Sequence, residues 1–217
     1  MSVVVAIKEG KKVYMGADSQ STLGNTRITL RNPNNFKIWK VIDSNNTLMA
    51  CVGAKRDANV IRLIPGIVDE YDEFSKRVNY KFVVKYIVPN IVKELKKAGF
   101  IKDENYIECI NSAFLFAYKD KLFFINNDLC VLEINDYVAI GSGSPEAIGS
   151  LLSTEGEDPK TRIVKAIKAS AANDIYVDYP IILTDTETTK FDVITEDLEA
   201  NYTKSHNKKV TKVGINC

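Results

Sequence analysis

The sequence predicts an α+β fold in which mainly antiparallel sheets carry helices segregated onto their outer faces. Three observations lead there. Strand and helix signals come in blocks, with strands, two helices, strands, two helices and closing strands in that order. Short turn-rich stretches join successive strands as hairpins. No regular β-α-β alternation runs through the chain, which argues against a doubly wound parallel sheet.

Val3 to Ile7 is a continuous β-rich apolar run, as expected of a strand covered on both faces, and Glu9-Gly10-Lys11-Lys12 turns it into a second strand, Val13 to Ala17. Strand signals follow at Arg27 to Leu30, Phe36 to Val41 and Thr47 to Val52, separated by Asn32-Pro33-Asn34-Asn35 and Asp43-Ser44-Asn45-Asn46. After Gly53 the period becomes helical: Val60, Ile64, Ile67, Val68 and Tyr71, then Phe82, Val83, Tyr86, Ile87, Ile91 and Leu95. Pro65 and Pro89 are expected to kink or divide these helices, and Gly99 to end the second. Strands are expected again at Ala113 to Tyr118, Lys121 to Ile125, Cys130 to Ile134 and Tyr137 to Ile140. Ser144 before Pro145 and Asp158 before Pro159 read as N-caps, the second helix running to about Asn173. Pro180 to Thr184 and Phe191 to Ile194 close the fold.

With 217 residues, 45% of them hydrophobic and 26% charged, the chain suffices for one sizeable core. One domain over residues 1–217 is the simplest organisation, with a polar, loosely held tail from about residue 197. Twenty-nine basic against 28 acidic residues leave a formal net charge of +1, and no basic patch stands out. Neither nucleic acid nor an acidic membrane surface is therefore expected as a partner. The only histidine, His206, sits in a polar C-terminal run, a poor setting for a Ser-His or Cys-His triad. Cys51, Cys109, Cys130 and Cys217 lack metal-type spacing and fit buried free thiols in a reducing compartment. The N-terminal stretch does not read as a signal peptide, and no run approaches the roughly 20 apolar residues of a membrane span. A soluble, cytoplasmic protein is expected.

Ser2 follows the initiator methionine, and a small second residue permits removal of that methionine. Ser2 would then carry both a hydroxyl and a free α-amine, whose pKa of about 7.7 to 8 suits it as a general base for its own hydroxyl. Such a nucleophile needs no histidine.

Ser2 opens the first strand, and the hairpin returns through Gly16-Ala17-Asp18-Ser19-Gln20 into Ser21-Thr22-Leu23-Gly24-Asn25-Thr26. Lys37-Ile38 follows a polar turn, Gly53 ends a strand, and Asp57 opens a helix shortly after. Ala139-Ile140-Gly141-Ser142-Gly143-Ser144, then Ala147, leads into a helix, and Ala172-Asn173-Asp174-Ile175 ends the last long one. This ordered set resembles the proteasome β-type family, and especially the HslV-like peptidases, of the N-terminal nucleophile (Ntn) hydrolase superfamily.

The resemblance implies a four-layer α/β/β/α sandwich with two mainly antiparallel sheets. It further implies a peptidase acting through acyl transfer to Ser2. Lys37 would lower the proton affinity of the Ser2 hydroxyl and amine, with Asp18 holding Lys37 charged and oriented. Gly53 would present a backbone N–H to the oxyanion. Ser142 and Asp174 would steady the Ser2 amine and its proton traffic. The family confines its catalytic cleft in rings, so a homo-oligomeric ring, a peptide or unfolded protein substrate, an ATP-dependent unfoldase partner and no cofactor are implied.

The chain departs from the family pattern in places. Serine stands where threonine is usual, which removes the β-branch that restricts χ1. The turn before Lys37 is about two residues longer, Val177 stands where many β subunits place a serine, and residues 73–108 and those beyond 196 exceed the HslV pattern. Residue by residue, other readings exist. Asp18 suits a turn, Lys37 and Lys40 suit an exposed strand face, Gly141-Ser142-Gly143 suits a loop or phosphate cradle, and Cys51 suits plain packing. At the level of function, the alternatives are a non-catalytic ring or scaffold subunit with the same fold and a small-molecule amidase.

Overall fold

In the computed structural model the chain runs through β1 (Val3–Glu9), β2 (Lys12–Ala17), β3 (Gln20–Leu23), β4 (Thr26–Thr29), β5 (Ile38–Lys40) and β6 (Thr47–Gly53). The helices α1 (Lys55–Ile61), α2 (Tyr80–Phe82) and α3 (Val88–Lys97) follow. The chain returns to strands as β7 (Lys102–Glu104), β8 (Ile107–Cys109), β9 (Ser112–Tyr118), β10 (Lys121–Ile125), β11 (Val131–Ile134) and β12 (Tyr137–Gly141). Helices α4 (Ser144–Ser153) and α5 (Pro159–Ala171) precede β13 (Ile181–Asp185) and β14 (Asp192–Ile194). The structure describes residues 2–42, 44–65, 67–68, 78–104, 107–188 and 190–195. Tyr71, His206, Cys217 and the expected polar tail lie outside these residues. Among the described residues, no helix is long and apolar enough to cross a membrane.

Two five-stranded sheets form the centre, one ordered β12-β1-β2-β13-β14 and the other β11-β10-β9-β6-β5, and every pairing within them is antiparallel. Three apolar clusters fill the spaces between four layers. Val4, Ala6, Met15 and Ala17 of the first sheet meet Ile38, Leu48, Ala50 and Leu115 of the second. On the first sheet's far side Val3, Val5 and Ile7 pack against Ile163, Val164 and Ile167 of α5 and Leu151 of α4. On the second sheet's far side Met49, Phe114, Phe116 and Phe123 pack against Ile61, Ile87, Ile91 and Leu95. Val3 through Ala6 are 0% exposed because both faces of β1 are covered. That explains the uninterrupted apolar run, where a half-buried strand would alternate.

Gly16 permits the close approach of α5 to β2, since a Cβ there would lie 2.2 Å from Ile163 Cγ2 and 2.7 Å from Leu183 Cδ2.

Several local expectations are refined, and one is corrected: Cys130, expected to be buried, is exposed in the turn before β11. The first helix ends at Ile61, so Ile64, Ile67 and Val68 are buried in the helix-side core without being helical. The second does not break at Pro89. A π-helical turn at Val83–Ile87 joins α2 to α3, and the Val88 N–H reaches back five residues to Val83 O. This widened turn accommodates a proline that has no N–H to give. Gly99 (φ +71°) ends α3, with Gly99 N–H on Lys96 O and Phe100 N–H on Leu95 O in a Schellman arrangement. Asp158 caps α5 through Thr161 N–H, as expected. Ser144 is not a cap: Gly143 occupies that position without a side-chain bond. A side chain at 143 has no room, since its Cβ would meet Ser170 Cβ at 2.7 Å. The short hairpins β3-β4 and β7-β8 stand outside the main sheets, and β3, β7 and β8 carry no apolar pattern that announces them.

Candidate active site

Strand register brings the candidate residues to one end of the sandwich. β1 lies between β12 and β2, with Val3 opposite Gly141 and Val4 opposite Ala17. Ser2 therefore stands at the mouth of β1, flanked by the residues that follow its two neighbours, Ser142 and Asp18. Ser2 N–H donates to Ser142 Oγ at 3.0 Å. The Ser2 carbonyl accepts from Gly143 N–H at 3.3 Å and from Ser142 Oγ at 3.4 Å. Gly141 (φ +102°) passes so close that a Cβ there would sit 2.1 Å from Ser2 O. Residue 2 is thus held through both its N–H and its carbonyl by the segment that follows β12.

Asp18 is 1% exposed and fully engaged. Its Oδ1 accepts from Val3 N–H at 2.9 Å and from Lys37 Nζ at 2.6 Å, and its Oδ2 accepts from Gln20 N–H at 2.9 Å. Lys37 enters from the second sheet, where it precedes β5, and its side chain is 8% exposed. Burial pushes the Lys37 amine below the ordinary lysine value, while Asp18 and, more weakly, Asp174 oppose that shift by their negative charge. Burial likewise pushes the Asp18 carboxyl upward against the attraction of Lys37. Each charge is therefore tolerable chiefly because of the other.

A cavity of about 430 Å³ opens in front of Ser2, with Lys37, Cys51, Gly53 and Lys55 in its wall. The Cys51 N–H donates to Lys37 O at 2.9 Å, which joins the end of β6 to the residue before β5. Alternate amides of a strand face the same side. The amide of Gly53, two residues on, thus faces that side beyond the start of β5. A Cβ at Gly53 (φ +107°) would lie 2.2 Å from Asn111 O, so the neighbouring strand leaves space only for glycine. Burial pushes the Cys51 thiol up to about 12. It is a protonated packing group rather than a nucleophile.

The structure brings Ser2, Asp18, Lys37, Gly53 and Ser142 to this one place. Asp174 is connected more loosely. Its Oδ1 accepts from Tyr176 N–H at 2.9 Å, and its buried Oδ2 has no hydrogen-bond partner among the described residues. Its charge is felt at Lys37. Val177, where a serine was noted as missing, is 3% exposed and packs in the core beside α4 and α5.

Two features escaped the sequence reading. Ser112 donates to Asp57 Oδ2 at 2.7 Å and accepts from Ala54 N–H at 3.1 Å, bracing the turn directly after Gly53. Asp57 was recognised by position, but nothing marks Ser112, a serine at a strand start whose role depends on lying opposite Gly53. Lys55 and Arg62 hold the turn before Lys37: Lys55 Nζ donates to Asn35 O, and Arg62 donates to Asn34 O and to Phe36 O. The lengthened Asn32-Pro33-Asn34-Asn35 turn is thereby fastened to α1.

Known structures share this architecture. The chain superposes on BPH of Thiobacillus denitrificans in complex with epoxomicin with a TM-score of 0.65 at 19% identity, covering 84% of this chain and 97% of that one. For eukaryotic HslV of Trypanosoma brucei the TM-score is 0.60 at 16% identity, with 84% and 98% covered. For Anbu of Yersinia bercovieri it is 0.65 at 11% identity, with 99% of each chain covered. At such identities the likeness establishes the fold, an Ntn-type sandwich. Comparison with curated protein sequences gives no match. The proteasome subunit family profile, however, matches residues 2–179. That stretch runs from the mouth of β1 past Asp174 and takes in every residue gathered around the cavity: the chain belongs to the proteasome subunit family.

Proposed function

We propose that the chain is an N-terminal nucleophile endopeptidase in which Ser2, exposed by removal of Met1, attacks the peptide carbonyl. The observation that carries this reading is the convergence of Ser2 and the buried Lys37–Asp18 pair on one cavity. The Ser2 hydroxyl passes its proton to the α-amine as its Oγ bonds to the carbonyl carbon. The ammonium of Lys37 favours the deprotonated forms of both. Ser142 Oγ orients the amine through the bond it already makes to Ser2 N. The Gly53 N–H stabilises the oxyanion, an interaction whose loss costs other hydrolases about 2.7 to 4 kcal/mol. Collapse of the tetrahedral intermediate expels the leaving amine with the proton held at the Ser2 amine, and water then hydrolyses the ester.

The reading includes a homo-oligomeric ring that encloses the cavity, peptide or unfolded protein as substrate, and an ATP-dependent unfoldase to feed it. The test combines intact mass, native sizing and a covalent probe. Loss of Met1, a ring on sizing, and an epoxomicin or β-lactone adduct on residue 2 that is absent from Ser2→Ala and suppressed in Lys37→Ala support the proposal. Equal peptide cleavage by wild type, Ser2→Ala and Lys37→Ala overturns it.

A further inference from the structure

The cavity wall contains two lysines and, among the described residues, no carboxylate. Lys37 has its counter-ion in Asp18. Lys55 has none, since no described carboxylate forms an ion pair with it. Its Nζ donates to the Asn35 carbonyl, and an ammonium has three donors to place. Around it stand Arg62, whose guanidinium lies over the Trp39 ring and bonds only to carbonyls, Lys37, and the neutral Cys51 thiol. Asp57, on the same helix, is committed to Ser112 and Arg56. Burial, reinforced by the charge of Arg62, brings the Lys55 amine down to about 8. A half-buried ammonium with cationic neighbours and no carboxylate is a site short of one negative charge.

We propose that this cavity selects an acidic side chain on the substrate residue whose carbonyl Ser2 attacks, and that Lys55 is the specificity-determining residue. The proposal rests on the reading of Ser2 as nucleophile. A cavity of about 430 Å³ has room for an Asp or Glu side chain. Leu30, Val52 and Ala58 in its wall pack the methylenes while the carboxylate pairs with Lys55. A neutral isostere of the same shape leaves the desolvated ammonium unpaired, and a basic side chain meets Lys55 and Arg62 as like charges.

The test uses two peptidyl-coumarin substrates that differ only in Glu or Gln at the residue bearing the coumarin. Wild type is expected to favour Glu by about tenfold or more in kcat/KM. Lys55→Met brings the ratio to near one, and Lys55→Glu reverses the preference towards a Lys-bearing substrate. A wild-type ratio near one, or a ratio that survives Lys55→Met, overturns the proposal. Binding of the matching Glu and Gln peptide amides to Ser2→Ala separates this inference from the catalytic one. Glu-selective binding without any turnover by wild type sinks the nucleophile and keeps the selectivity, whereas turnover with equal binding sinks the selectivity alone.

Discussion

Replacing Asp18 with Asn keeps shape and removes charge at the most buried point of the site. Two carboxylate oxygens now accept three donors: Val3 N–H and Lys37 Nζ on one, Gln20 N–H on the other. An amide offers one oxygen, and whichever way it is turned its NH₂ faces a donor. Lys37, with a side chain only 8% exposed, also loses its counter-ion. Removing one partner of a buried pair costs about 3–5 kcal/mol. For a chain of this length each kcal/mol lowers Tm by about 2–4 °C, so a fall of about 6 to 20 °C is expected. The Lys37 amine can escape by losing its proton, which sets the pH dependence. Burial already holds it below 10.5, so in that window the unfolded chain binds more protons and stability rises with pH. The deficit of Asp18→Asn therefore shrinks as pH rises towards 10.5. Urea unfolding across pH, with the double variant Asp18→Asn/Lys37→Met, is the assay. Methionine retains the stem and removes the orphaned cation, so the double variant should be more stable than Asp18→Asn alone. A single-variant loss below about 1 kcal/mol, or losses that merely add, would refute the interdependence of the two charges.

Ser142→Ala removes the acceptor of Ser2 N–H at 3.0 Å. Steady-state kinetics should show kcat lowered by about 10²-fold with KM little changed, as for a misplaced reacting group, and a kcat within about twofold of wild type removes Ser142 as a positioning residue. Gly16→Ala forces a methyl onto Ile163 and Leu183 and should lower the urea-derived stability by about 1–3 kcal/mol, an unchanged midpoint counting against close packing of α5 on β2. The Glu-to-Gln ratio of kcat/KM should fall as pH rises through about 8, because Lys55 loses its charge there while the substrate carboxylate keeps its own. Titration of the Ser2 amine affects both substrates equally and cancels, so a ratio that is flat from pH 6.5 to 9.5 assigns the selectivity to some other group.

Both central sheets and the helices that cover them were legible because burial dictates residue type there. Val3 to Ile7 is apolar throughout since α5 covers one face of β1 and the second sheet the other. The π turn before Pro89 and the glycine cap of α4 were not legible, because each answers a constraint from elsewhere: an absent N–H in one case, Ser170 in the other. The same division runs through the site. Ser2 could be picked out from its place after Met1, whereas Asp18, Lys37, Gly53 and Ser142 stood out through their ordered resemblance to the proteasome β-type family, since each alone also suits a turn, a strand face or a loop. Ser112, Lys55 and Arg62 sit on ordinary polar positions. Their roles come from long-range contacts that no local pattern encodes, Lys55 and Arg62 with the turn before β5 and Ser112 of β9 with Asp57 of α1.

Core and site are coupled through register. Successive residues of β1 point alternately to α5 and to the second sheet, so a slip of one residue would reverse both sets and expel Val3, Val5 and Ile7 from the cluster they share with Ile163 and Ile167. Both faces of β1 are apolar, so the cost of the slip is misfit: either direction seats Ala6 where Val5 or Ile7 packs, and trading an isoleucine for an alanine in a core costs about 2–5 kcal/mol. It is this packing that sets Val3 opposite Gly141 and Val4 opposite Ala17. Residue 2 is consequently placed between Ser142 and Asp18 by the register of β1. Its own hydrogen bonds refine the position of Ser2; the fit of large and small side chains along β1, with Val5 and Ile7 facing α5 and Ala6 facing the second sheet, decides that residue 2, rather than residue 1 or 3, stands in the cavity.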